Sequence, residues 1–311
     1  MRYLGFLAAL ILLANCMPAP IKAAAASDFA IEDIGSGIYV HHGKHLDIDV
    51  GYQGDICNIS FVVGSKGVAV IDTGGSLKIG TLLRNAIKKV TDKPILYVIN
   101  THVHPDHIFG NAAFVQDKAQ FVGHEKLATT MQLRKEAYDK LNIKYMGDDA
   151  KGSDIVLPTI MVKAPMALDL GDRKLTVTPY PTAHTNTDVS VIDSKTSTLF
   201  TGDLLFIART PVLEGDIKGL IAAIDTLKTY PVKQVVPGHG PFTKDWVQAL
   251  NNEQRYLNAL LTDIRANIKA GKSMGDAMNT AAAGEKDKWL LFDIANRRNV
   301  NTLYPALEFE D

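Results

Sequence analysis

The chain has 311 residues, 46% hydrophobic and 22% charged, which is enough to bury the core of one large mixed domain and too apolar for a disordered chain. Lysine and arginine total 33 against 34 aspartate and glutamate, so the net charge of -1 provides no broad electropositive surface and argues against nucleic acid as an obligate partner. The two cysteines, Cys16 and Cys57, exclude a disulfide framework and a cysteine-rich zinc module.

Arg2 precedes the apolar run Tyr3 to Leu13, and small residues gather from Ala23 to Ser27. A charge, a short apolar core and an A-x-A-like site follow one another as in a secretory signal peptide, and the run is shorter than the roughly 20 residues that span a bilayer. The expectation is a signal peptide over residues 1–26 and a single domain over 27–311, periplasmic or secreted, with no stable membrane span. Leu13-Ala14-Asn15-Cys16 is a weaker, lipoprotein-like alternative. Cleavage after Ala26 removes Arg2 and Lys22 and takes the net charge from -1 to -3. Cys57, beside Ile56 and the apolar run Ile59 to Val63, reads as a small buried residue and not as a nucleophile.

In chain order, residues 38–40 and 56–63 read as strands, and Gly64-Ser65-Lys66-Gly67 turns into the apolar run 68–71. Leu82, Leu83, Ile87 and Val90 give residues 77–90 helical spacing, and 94–99 returns to a strand. A strand end at Phe121 and Val122 precedes a helical stretch over 125–141 and a polar segment over 147–154. Strands are then expected over 175–179, 189–192 and 197–201, a helix over 217–229 and a short strand over 234–236. The longest helix, 244–270, carries an apolar stripe of Trp246, Leu250, Leu257, Leu260, Leu261, Ile264 and Ile268, with its charged residues expected on the solvated face. Such elements suit two sheets packed face to face with helices outside.

After the strand ending at Ile99 comes Asn100-Thr101-His102-Val103-His104-Pro105-Asp106-His107. Three histidines and an aspartate within six residues at a strand end are a donor set for zinc or iron, and Pro105 is expected to bar the segment from a regular helix or strand. His184, Asp203 and His239 follow later strands in Thr182-Ala183-His184-Thr185, Thr201-Gly202-Asp203 and Pro237-Gly238-His239-Gly240-Pro241.

His-x-His-x-Asp-His followed by these three residues resembles the metal motif of the metallo-β-lactamase superfamily, and Val70-Ile71-Asp72-Thr73-Gly74 matches its early aspartate motif. The resemblance implies an α+β fold, a four-layer αββα sandwich. It implies that His102, His104 and His184 hold one metal, that Asp106, His107 and His239 hold a second, and that Asp203 bridges them. The expected cofactor is two zinc ions, with iron or manganese as alternatives, and Asp106 is the expected catalytic residue that orients the nucleophile or accepts its proton. Asp72 would brace the ligand loop, although on local grounds it equally suits a turn before Thr73-Gly74.

Asp203 stands where many dedicated β-lactamases of this superfamily have Cys or Ser, so weak or absent β-lactam hydrolysis is expected, and the pattern is instead similar to glyoxalase II and the metal-dependent lactonases. Gly54-Asp55-Ile56-Cys57-Asn58, the Asp72 and Asp203 segments and Leu307-Glu308-Phe309-Glu310 resemble the quinoprotein relay system zinc metallohydrolases. That resemblance implies an exported hydrolase of an ester, thioester, lactone or amide small molecule, functionally linked to a periplasmic quinoprotein dehydrogenase. The alternatives are mono-iron persulfide dioxygenase-like oxidation, a true β-lactamase, and a non-catalytic quinoprotein maturation factor. His41, His42 and His45 read as solvated, His124 as structural, and Arg209 as either a contact for a substrate carboxylate or a surface ion pair.

Overall fold

The computed structural model describes residues 29–49 and 52–310, so the signal-peptide and Cys16 readings lie outside the described residues. The first half forms β1 (Glu32–Gly35), β2 (Ile38–His41), β3 (Ile59–Val63), β4 (Val68–Ile71), α1 (Leu77–Val90), β5 (Ile95–Ile99), α2 (Pro105–Ile108), β6 (Gln120–His124), α3 (Leu127–Met146) and β7 (Ile160–Val162). The second forms β8 (Met166–Asp169), β9 (Lys174–Pro179), β10 (Val189–Asp193), β11 (Thr198–Phe200), α4 (Ile217–Leu227), β12 (Gln234–Val236), α5 (Trp246–Lys269), α6 (Met274–Thr280) and α7 (Phe292–Glu308). Strands β1 to β7 make one sheet in sequence order, and the other runs β12-β11-β10-β9-β8. None of the described helices is long and apolar enough to cross a membrane.

Two-residue periodicity builds the layers, because successive side chains of a strand leave opposite faces. Ala69, Ile71, Ile99 and Val122 of the first sheet pack on Val177, Val191, Phe200 and Val236 of the second. Their neighbours Val70, Val98 and Phe121 turn outward onto Ile79, Leu83 and Ile87 of α1, while Leu199 and Val235 turn outward onto α4, α5 and α7. The result is the expected four-layer αββα arrangement. The buried face of α1 is Ile79, Leu83 and Ile87, at i, i+4 spacing; Leu82 and Val90, read into the apolar set from sequence, are exposed. Ser76 caps α1 by accepting from the Ile79 amide at 3.2 Å.

Strand β3 starts at Ile59, three residues later than the apolar run suggests. The cause is local: the Ile56 carbonyl is taken by His239 Nδ1 at 2.6 Å, and Asn58 spends its side chain on the carbonyls of Pro237 and Gly240. On α5, Glu253 is fully buried, against the expectation that the charges there face water; the spacing 250, 253, 257 puts it on the apolar stripe.

Candidate metal centre

Strands β4, β5, β11 and β12, together with the loop between β9 and β10, deliver the sequence-identified residues to one end of the sandwich. There the imidazoles converge. His104 Nδ1 lies 3.1 Å from His102 Nε2 and 2.9 Å from His184 Nε2. Asp106 Oδ2 lies 3.5 Å from both His107 Nε2 and His239 Nε2. Asp203 sits between the two groups: Oδ2 is 3.3 Å from His184 Nε2, 3.7 Å from His102 Nε2 and 3.3 Å from His239 Nε2, while Oδ1 is 3.2 Å from His107 Nε2. All seven candidate residues named from sequence are therefore brought together. Two glycines permit this approach. A Cβ on Gly238 would fall 2.0 Å from Asp203 Oδ1, and Gly202, beside Asp203, has a φ of +52°.

The donor set fits a metal. His102, His104, His184 and Asp203 offer ligand atoms within 4.8 Å of one another, as do His107, Asp203 and His239. His107 Nε2 and Asp203 Oδ1 are buried without a hydrogen-bond partner and lie 3.2 Å from each other. Orphaned buried lone pairs are costly unless something takes them, and a cation would. Burial alone would raise the Asp203 carboxyl, but His239, His107, His102 and His184 hold it well below the usual carboxylate range. Burial, with neighbouring His107, pushes His102 well below the ordinary histidine value.

The outward ring atoms fix the tautomers. Asp72 Oδ2 accepts from His107 Nδ1 at 2.8 Å and from the Thr101 hydroxyl at 2.7 Å, and its Oδ1 accepts from the Thr101 amide at 2.8 Å. Of the two local readings of Asp72, the brace is what its contacts support, and its φ of +55° is the conformation that aims it there. His104 Nε2 donates to Glu214 Oε2 at 2.8 Å. Cys57 is a buried thiol whose Sγ donates to the Asp106 carbonyl at 2.8 Å, and burial pushes it up to about 12, in keeping with an inert packing role.

A cavity of about 330 Å³ opens onto the centre. Ile48, Ile56, Leu141, Phe206 and Val212 give it apolar walls, and Tyr138, Tyr145, Asp47, Arg209 and Arg298 supply polar groups. Arg209 is 4% exposed, lines the cavity and makes no ion pair among the described residues, which favours the substrate-facing reading over a surface ion pair. Arg298 instead pairs with Asp47 through two contacts of 3.0 Å. His41 is buried, contrary to the solvated reading: it stacks on Phe29 and donates Nε2–H to Asp55 Oδ1, 2.6 Å away. His42 pairs with Glu32, His45 is exposed, and His124 is a buried acceptor for the Lys126 amide. None of these four is among the residues lining the cavity. Sequence reasoning missed Glu214, which belongs to no motif, and Arg298, whose helix went unread; only Glu253 carried a signal, its place in the apolar stripe.

Residues 52–239 match the model of the metallo-beta-lactamase superfamily. The chain belongs to that superfamily. All seven candidate ligands lie inside the match, and α5 to α7 lie beyond it. Among superfamily relatives, human acyl-coenzyme A thioesterase MBLAC2 is 26% identical over 234 residues, 68% of this chain and 81% of the thioesterase. A 53-residue stretch, 17% of this chain, is 40% identical to the linear primary-alkylsulfatase of a Pseudomonas species and spans only 10% of that enzyme. The metallo-beta-lactamase of Pontibacter korlensis superposes with a TM-score of 0.59 at 24% identity, covering 74% of this chain and 98% of that one, a likeness of fold.

Proposed function

We propose that the protein is an exported binuclear zinc hydrolase of an ester, thioester, lactone or amide. The observation that carries this reading is the Asp203 carboxylate lying within 3.7 Å of ring nitrogens from both histidine groups. On this reading His102, His104 and His184 hold one ion, Asp106, His107 and His239 hold the other, and Asp203 touches both. Two bound ions supply Lewis acidity for the substrate carbonyl and bring a water's pKa towards about 7.

The chain's own residues supply the rest. Asp106 is the proton acceptor: one carboxylate oxygen faces His107 and His239, and α2 holds its backbone where the cavity begins. Arg209, which lines the cavity, receives an anionic group of the substrate. The apolar walls take up the body of the substrate and exclude water. A thioester is the first candidate to try, because MBLAC2 is named as an acyl-coenzyme A thioesterase. The functional link to a periplasmic quinoprotein dehydrogenase is part of the proposal and rests on the sequence resemblance.

The test is metal quantification on protein purified from its own host without added metal, with N-terminal mass spectrometry and a panel of thioesters, lactones, aryl esters and β-lactams. Two zinc ions per chain, a mature N-terminus near residue 27 and turnover of one of the first three classes are expected. One iron per chain, a start at Met1, or β-lactam turnover on the order of 10 per second would each overturn the corresponding part.

A further inference from the structure

His104 differs from the other four imidazoles of the centre. Its side chain is 14% exposed, whereas those of His102, His107, His184 and His239 are between 0% and 4% exposed. Packing therefore holds four of the rings, and the fifth needs another restraint against rotation. Glu214 supplies one. Its Oε2 accepts from His104 Nε2 at 2.8 Å, and its Oε1 faces Arg134 Nη2 from α3. The Glu214 and Gly215 amides both donate to the His184 carbonyl, at 3.3 and 2.8 Å, so the backbone under the carboxylate is tied to a second candidate ligand. Arg134 is itself located by donating Nη1 to the Tyr138 hydroxyl at 3.0 Å, one turn along the same helix. An isolated half-exposed ion pair would contribute little, but here each carboxylate oxygen has a different partner and both partners are anchored.

We propose that Glu214 and Arg134 are positioning residues for His104, with Glu214 presenting His104 Nδ1 to the metal and Arg134 fixing Glu214 from α3. The inference rests on the metal-centre reading above, and the two can fail separately.

The experiment is Zn²⁺ affinity by chelator competition on the metal-stripped full chain, with the visible spectrum of the Co²⁺-loaded form as a second readout. Glu214→Ala should weaken one of the two ions by about 10- to 100-fold and change the Co²⁺ spectrum. Glu214→Gln keeps an acceptor for His104 and should recover most of that loss. Arg134→Ala should weaken the same ion by about 3- to 10-fold, with Arg134→Lys intermediate. Wild-type affinity in a folded Glu214→Ala protein, or a Glu214→Gln protein no better than Glu214→Ala, would overturn the proposal. If Glu214→Ala does not fold, the Arg134 pair decides: equal wild-type affinity in both variants would overturn it. Absence of metal binding by the wild-type chain would instead sink the metal-centre reading itself.

Discussion

The donor side chains and the walls of the cavity are held in different ways. His102, His107, His184 and His239 sit beyond strand ends from both sheets, nearly sealed, with Asp72, Thr101 and the Ile56 carbonyl behind three of them. Arg298 and Asp47 come from α7 and from a loop before β3, and they are held by one ion pair in which the arginine is 42% exposed. The first arrangement resists motion because strand backbones and buried hydrogen bonds over-determine it; the second leaves its groups free to exchange partners. The donor side chains and this ion pair thus rest on supports of unequal stiffness; Asp47 and Arg298 lie outside the superfamily match over residues 52–239, whereas Arg209 and most of the apolar wall lie within it.

Asp203→Asn probes the stiff side most severely. On the proposed binuclear reading, two Zn²⁺ ions would carry more positive charge than the centre's carboxylates offset, so neutralising the one shared by both groups should remove much of the bound metal and cut turnover by on the order of 100-fold or more. Circular dichroism should remain native, because the four-layer core does not include it. Two tightly bound ions in the Asn variant would break the bridging assignment. Asp72→Asn comes next: losing a carboxylate that accepts from His107 and twice from Thr101 should cost about 10- to 100-fold in metal affinity, read by chelator competition.

The helical side can be tested through Glu285, which accepts from Arg255 of α5, Lys288 and the Trp289 indole. Burial would raise its carboxyl, but those hydrogen bonds lower it from 4.5 to about 2. The folded state therefore binds this proton less tightly than the unfolded one. Its stabilisation is complete above pH 4.5 and is lost as pH falls towards 2. Glu285→Gln should accordingly cost about 1–2 kcal/mol at pH 7, with the gap to wild type closing in melts taken at successively lower pH below 4.5. A constant gap across that range would remove the ion-pair account. The smallest effect is expected for Arg298→Ala: under about 1 kcal/mol in stability and a few-fold change in KM for anionic substrates, with metal content unchanged. Loss of metal in that variant would erase the distinction between the two supports.

These differences also sort what could be read beforehand. The span of α1 and the spans of β4, β5 and β12 agree with their periodicity and bounding residues to within a residue: α1 buries one face at helical spacing, and the three strands are short, mostly apolar runs bounded by turn or loop residues. Strands β1, β7 and β8 and helices α6 and α7 went unread, and the short helix α2 starts at Pro105, where a regular helix was not expected, because proline is tolerated at a helix's first position. Those strands are three or four residues long and largely half-exposed, and α7 carries Pro305 and a mixed surface, so none has a clean period.

By itself the sequence marked His102, His104, Asp106 and His107 as candidate ligands, because His-x-His-x-Asp-His is contiguous, and its resemblance to the metallo-β-lactamase superfamily implied His184, Asp203 and His239. It also determined the sandwich, since alternation along strands and stripes along helices are local consequences of backbone geometry. The resemblance also implied that Asp203 bridges the groups and that Asp72 braces the loop; the tertiary structure alone decided that the brace reaches His107 across 35 positions and that Glu214 reaches His104 across 110. Those contacts depend on how two sheets stack end to end and where their loops meet. Side-chain chemistry written in a motif says what a group can bind; only the packing of distant elements sets which groups share the same few ångströms.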